Sequence, residues 1–199
     1  MVKNDFFWIG STLWLDFVNT ENMATGERTD QLVEGTALLE WLSLSGSVPE
    51  AVAQRAASWP KTQWDELRLS ARKLRQSLRA FCEEFDANGE ISPTLVKTLN
   101  EFLGPPAPGY QLEPQPGGGF SLTTQWGAPT PRQLLFPIAK DAAETLSGGD
   151  LSRLRKCANP KCILWFLDTS KNGQRRWCSM EACGNRHKVS EHHRRKKAS

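Results

Sequence analysis

Four of the five cysteines fall in two matched pairs, Cys157-Ala-Asn-Pro-Lys-Cys162 and Cys178-Ser-Met-Glu-Ala-Cys183, with fifteen residues between the pairs. Thiolates that gather around one tetrahedral metal ion arrive in pairs like these. The apolar run Phe6–Ile9 is too short for a secretion signal, so the chain is expected in the cytoplasm. Paired cysteines there read as zinc ligands before disulfides. The spacing also restricts the local fold. Residues five apart on a helix stand about 140° apart, so neither pair can lie on one helix face. Cys178 must precede a helix and Cys183 must lie in its first turn, with Ser179 as N-cap and Glu181 near the positive helix start. Asn159-Pro160 supplies a turn within the first pair. Ile163–Leu167 and Gln174–Trp177 flank Asp168–Gly173, which predicts strand, turn, strand. The expected order is knuckle, hairpin, then cysteines at a helix start. Two other readings of these cysteines stay open: reduced buried thiols, or a Cys₃His site completed by His187. Cys82, on the apolar side of a helix, reads as a small buried hydrophobe.

Charge divides at the same place. Residues 151–199 hold 13 Lys and Arg against three Asp and Glu, whereas the first 150 hold 12 against 19. Four thiolates with one Zn²⁺ would leave the tail near +8, still basic enough to draw phosphate. From Asn185 onward only Val189 is clearly apolar, and a helix polar all round needs a partner or is marginal. Arg186, Lys188, Arg194, Arg195, Lys196 and Lys197 can neutralise phosphates, and Arg175 and Arg176 add charge just before Cys178. Asn185 can pair with adenine or bond its own backbone. Arg186 can equally cap carbonyls or brace thiolates, and the terminal Arg-Arg-Lys-Lys run can equally be a solvated tail. Trp165, Phe166 and Trp177 read as the small core of the module.

The first 103 residues read as helical. Leu13, Trp14, Phe17 and Val18 mark one helix face, and Leu38, Leu39, Trp41 and Leu42 another, stopped by Gly46. Ser47-Val48-Pro49-Glu50 predicts a capping box that opens a short helix to about Ser58. The clearest helix runs from about Thr62 to Ala87, with apolar residues at steps of three and four, Lys and Arg on the other side, and Asn88-Gly89 as its stop. Ser92-Pro93 opens the next, with Leu95, Leu99 and Phe102 inward. Seven of the twelve prolines lie in residues 104–131. Period-two alternation around Pro116–Gly119 nevertheless predicts a β-hairpin near 110–126. A helix from about Pro131 to Ser147 follows, which Pro137 should bend or restart. Ser147–Asp150 reads as a boundary, with Asp150 capping a short helix Leu151–Lys156. The sequence thus predicts a mainly α N-terminal domain with a β-hairpin over 1–150. A small zinc module over 151–199, a β-hairpin plus helix of treble-clef or ribbon type, completes the chain.

Cys183-Gly184-Asn185-Arg186 spells the name motif of the CGNR zinc-finger family. With Phe166-Leu167-Asp168, Ser170-Lys171-Asn172 and Arg175–Met180, about 40 residues resemble that family. Leu15–Thr20 and the lead-in Gly148, Leu151, Leu154 resemble the ABATE-type domain that such proteins carry at their N-terminus. The resemblance implies a bacterial cytoplasmic transcription regulator that binds DNA and is linked to stress, with one Zn²⁺ per chain. It leaves room for RNA as the partner, and a third reading is an adaptor that docks an acidic protein. Asp16, Asn19 and Thr20 either line a small-molecule pocket in the N-terminal domain or cap and anchor their helix. No metalloprotease motif, nucleophile elbow or phosphate loop is present, and all three histidines sit in the basic tail, so an enzyme is not expected. No segment reaches membrane-spanning length. A homodimer would suit palindromic DNA, although no dimer seam is legible.

Overall fold

The computed structural model describes residues 2–3, 6–23, 26–105 and 108–198; burial and side-chain contacts at 2, 3, 191–193, 195, 197 and 198 lie outside that description. Two short strands, β1 (Val2–Lys3) and β2 (Phe6–Phe7), pair antiparallel ahead of helix α1 (Leu13–Val18). A second pair, β3 (Glu21–Asn22) and β4 (Thr29–Asp30), leads to α2 (Gly35–Leu44) and α3 (Glu50–Ala57). The 28-residue α4 (Lys61–Asn88), about 42 Å long at 1.5 Å per residue, is the spine of the domain. Gly89 ends it in the left-handed conformation (φ 72°), with its N–H on the Phe85 carbonyl. Helix α5 (Pro93–Leu103) starts at Ser92, whose hydroxyl accepts from Thr94 N–H. The predicted hairpin is present as β5 (Gly109–Pro114) and β6 (Phe120–Gln125), in register Leu112 opposite Leu122. Helices α6 (Pro131–Leu134) and α7 (Phe136–Gly148) are separate, because Pro137 cannot continue the ladder and restarts the helix.

The large core gathers Trp14, Phe17, Leu38, Trp41, Leu74, Leu78, Phe81, Leu99 and Ile138 from α1, α2, α4, α5 and α7. Trp41 is central. It stacks on Trp8 at 5.4 Å and meets the Phe17 ring at 5.6 Å. Helix α1 has only six residues, too short to hold itself. Asp141 of α7 caps it from outside by accepting from Trp14 N–H, and Trp14 Nε1 donates to Thr145 Oγ1.

Three local expectations fail. Ser47 does not form a capping box: Pro49 is the N-cap of α3, and the Ser47 hydroxyl turns back to Ser45 and the Leu42 carbonyl at the end of α2. Arg75 and Arg79 do not join the exposed side of α4. They are 3% and 6% exposed and point inward, because Glu21, Asp30 and backbone carbonyls meet their guanidinium groups. The helix expected over Leu151–Lys156 is a single 3₁₀ turn, Leu151–Arg153, capped by Asp150 through Ser152 N–H.

The residues after that turn form β7 (Leu154–Lys156), which pairs antiparallel with β8 (Trp165–Leu167). This corrects the predicted hairpin, which paired Ile163–Leu167 with Gln174–Trp177. The Asp168–Gly173 turn does form, held by the Asp168 carboxylate accepting from Ser170 N–H and Arg175 N–H. Its far arm makes no strand, and β7 takes the pairing edge of β8 instead. The alternation of β8 then sorts its side chains. Trp165 enters the large helical core, and Phe166 enters a second, smaller core with Ile9, Leu164 and the four cysteines. Trp165 is therefore shared with the N-terminal domain, not part of a private module core.

Candidate metal centre and nucleic-acid interface

The hairpin β7–β8 carries the first cysteine pair at its tip. Cys157 N–H donates to the Leu164 carbonyl and extends the ladder by one rung. Cys162 N–H donates to the Asn159 carbonyl, and the Asn159 side chain accepts from Lys161 N–H, closing the knuckle. The same side chain's Nδ2 donates to Cys183 Sγ at 3.3 Å. Cys178 N–H donates to Cys157 Sγ at 3.5 Å. These are the amide-to-sulfur bonds that spread thiolate charge.

The second pair sits where the spacing placed it. Ser179 is the N-cap, its hydroxyl accepting from Ala182 N–H, and Cys183 lies in the first turn, a π-helical turn over Met180–Gly184. Helix α8 (Asn185–Ala198) continues from it. Gly184 packs closely under the Met180 side chain, so a larger residue there would have to displace it. A Cβ would lie 2.7 Å from Met180 Sδ and 3.3 Å from Trp177 Cδ1.

All four sulfurs lie within 4.8 Å of one another, and Cys162 and Cys178 are 3.8 Å apart. Sulfurs placed tetrahedrally at 2.3 Å from zinc are about 3.8 Å apart, so the cluster has the right size. Hydrogen bonds from the Cys162 and Cys178 thiols pull Cys157 far below the usual thiol range, while those bonds and its charge push the other two up. Four thiolates can share this space only around a cation. His187, weighed as an alternative ligand, instead lays its ring on Trp177 at 4.7 Å. Cys82 is on the buried face of α4, where desolvation raises its thiol, and is not among the four clustered cysteines.

The arginines divide into two roles. Arg175 is a strut. Its guanidinium donates to the carbonyls of Ile9, Trp177 and Cys178 and to Ser11 Oγ, and it lies 4.1 Å from the Phe166 ring. Its fork is spent inside the protein. Arg176 is exposed and covers one face of Trp177 at 5.2 Å. With Lys161, Arg186 and His187 it lines a cleft of about 500 Å³ between the knuckle and α8. Lys161, exposed between Pro160 and Cys162, adds a cation to this cleft. Asn185, Arg186 and Lys188 are exposed along the start of α8, and Arg194 and Lys196 further along it. The side chains of Arg195 and Lys197 lie outside the described residues.

Asp16, Asn19 and Thr20 each make their own anchoring contacts. Asp16 Oδ1 accepts from Ile9 N–H and Gly10 N–H. Asn19 binds the backbone of Trp165. Thr20 donates to the Phe17 carbonyl and accepts from Arg75. Each anchors a different segment against α1, because buried backbone groups there would otherwise lack partners.

A family model described as CGNR zinc finger matches residues 153–196. A second, ABATE, described as "Putative stress-induced transcription regulator", matches residues 11–149. No curated protein matches the chain. The geometry and the finger together assign one Zn²⁺ to Cys157, Cys162, Cys178 and Cys183. Bound there, the ion would cross-link the knuckle to the start of α8.

Proposed function

We infer the function from one premise: this chain belongs to the ABATE family and ends in a CGNR zinc finger. It is a zinc-dependent DNA-binding protein that regulates transcription from the bacterial cytoplasm, and its N-terminal domain senses or assembles. The observation that carries this reading is the basic cleft of Lys161, Arg176 and Arg186, which runs into a helix whose described side chains are all exposed. A helix with so little apolar surface gains stability from a polyanion laid along it. Zinc fixes both walls of the cleft, so its cations are preorganised.

Duplex DNA is favoured over single strands for a specific reason. The Trp177 ring is occupied by His187 and Arg176, so the cleft offers cations and no open stacking platform. No helix among the described residues is long and apolar enough to cross a membrane. The absence of histidine from the helical domain argues against acid–base catalysis there. The test is selection of bound genomic fragments with bound RNA sequenced in parallel, followed by competition between a selected duplex, its single strands and structured RNA. Preference for the duplex supports the reading. Preference for RNA overturns it, and binding to neither favours a protein adaptor.

A further inference from the structure

Helix α4 carries Arg68, Arg72, Arg75 and Arg79 at steps of four, three and four, so they form one stripe beside its apolar face. The inner half of the stripe is neutralised by the β3–β4 hairpin. Asp30 accepts from both terminal nitrogens of Arg75. Glu21 accepts from Arg28 at 2.9 Å and lies 3.1 Å from Arg79 Nε, an ion pair whose alignment falls short of a hydrogen bond. The outer half is not neutralised. Among the described residues Arg68 pairs only with Asp65, at 4.0 Å and in solvent. Arg72 makes no hydrogen bond or ion pair among the described residues and acts on Asp30 only through its field.

A cavity of about 370 Å³ opens between this stripe and the hairpin. Arg28, Arg68, Arg72 and Arg75 line it against two carboxylates, Glu21 and Asp30, leaving two positive charges in excess. Leu32 and Val33 give it an apolar wall. The volume is that of a small-molecule site. Like charges at i and i+4 weaken a helix unless an anion lies between them, and Arg68 and Arg72 are such a pair.

We propose that this cavity binds a small organic anion, a carboxylate or phosphate dianion on a short apolar body, and that its occupancy is transmitted to the zinc knuckle. The transmitting residue is Arg79. It holds Glu21 on one side, and its Nη1 donates to the Ile163 carbonyl, adjacent to Cys162, at 3.1 Å. An anion that draws Arg28 and Arg75 toward itself releases Glu21 and so shifts the Arg79 contacts. This deepens the sensing role proposed above and rests on it only for the effect on DNA, not for the binding itself.

The experiment uses the full zinc-loaded chain. Phenyl phosphate and phthalate are titrated by calorimetry at matched ionic strength, with inorganic phosphate and chloride as probes lacking the apolar body. Saturable one-to-one binding of phenyl phosphate or phthalate is expected, weakened at least about tenfold by Arg72→Glu, a charge reversal at an exposed position. Arg68→Ala should weaken it less, and Arg132→Glu, on α6, should leave it unchanged. Amide exchange at residues 162–165 should change with the bound probe. No saturable binding beyond chloride overturns the site, as does binding that survives both Arg72→Glu and Arg68→Ala. Binding with unaltered exchange overturns the transmission. Duplex affinity is measured separately, and its absence beside intact anion binding sinks the regulator reading while leaving the site.

Discussion

Asn19 grips Trp165 by its backbone at both ends of one amide. Its Nδ2 donates to the Trp165 carbonyl at 2.7 Å, and its Oδ1 accepts from Trp165 N–H at 2.9 Å. The asparagine that ends the first helix thus takes the place of a neighbouring strand for β8. This joins the zinc module to the helical domain through 146 residues of sequence separation.

Asn19→Ala is expected to cost about 2–4 kcal/mol, because it strands two buried backbone groups that water cannot reach. Asn19→Asp should cost at least as much, since a carboxylate oxygen would then face the Trp165 carbonyl. Urea denaturation of the zinc-loaded chain measures both. A loss under about 0.5 kcal/mol for Asn19→Ala would mean the two units are joined by packing alone.

Zinc content is expected at one per chain, and Cys178→Ser should abolish it. The knuckle and the start of α8 should then lose order, since binding energy in such a module is folding energy. The loss should spread to Leu164, Phe166 and Ile9, which pack on the cysteines, while α2 to α7 keep their helicity. Elemental analysis, circular dichroism and residue-level hydrogen exchange read these outcomes. A zinc-free chain with an ordered finger would sink the metal assignment.

Arg175 and Arg176 are adjacent and are expected to behave as opposites. Arg175→Lys should lower stability by about 1–3 kcal/mol, because an ammonium cannot reach four acceptors and a ring face together. Arg176→Ala, Arg186→Ala and Lys161→Ala should leave stability within about 0.5 kcal/mol and weaken duplex binding. If the cleft and α8 contact roughly 4–6 phosphates, log K should fall against log salt with a slope of about −4 to −5. The triple substitution should flatten that slope. An unchanged slope would place DNA elsewhere on the chain.

The zinc site was legible because ligand spacing is a local property. So were the Ser179 cap, the glycine stop of α4, the restart at Pro137 and the exposed hairpin. What the sequence hid was long-range choice. Trp165 and Phe166 look alike as a pair of aromatics, and only the strand partner decides which core each enters. Arg75 and Arg79 read as solvent-facing because their carboxylate partners lie more than 40 residues away, on a hairpin of two-residue strands with no periodicity to detect. Arg175 and Arg176 look alike in the sequence, and contacts with Ile9 and Ser11 set Arg175 apart. Neighbouring cations with one composition can be a strut and a phosphate contact, and tertiary partners alone separate them.

Asp16 sets the last expectation, on pH. Burial raises its carboxyl from 3.8 to about 6, against the lowering effect of the amides of Gly10 and Ile9. A folded-state pKa above the unfolded one means the native protein binds the proton more tightly. This group's contribution is therefore most favourable below pH 4 and is lost as pH rises through 6. Glu21 and Asp30 act in the opposite sense. Burial would raise them, but Arg28, Arg75 and Arg79 at Glu21, and Arg75 with Leu32 N–H at Asp30, hold them below their usual values. Their stabilisation is present at neutral pH and is lost as pH falls below about 4. Between pH 5 and 7.5 the Asp16 contribution should stand alone among these three. Asp16→Asn keeps the one oxygen that accepts both amides and removes the ionisation. It is expected to be more stable than the parent at pH 7.5, by at most about 2–3 kcal/mol, with the gap narrowing toward pH 5. Urea denaturation across that range measures the gap, and a pH-independent difference would mean that Asp16 stays ionised throughout.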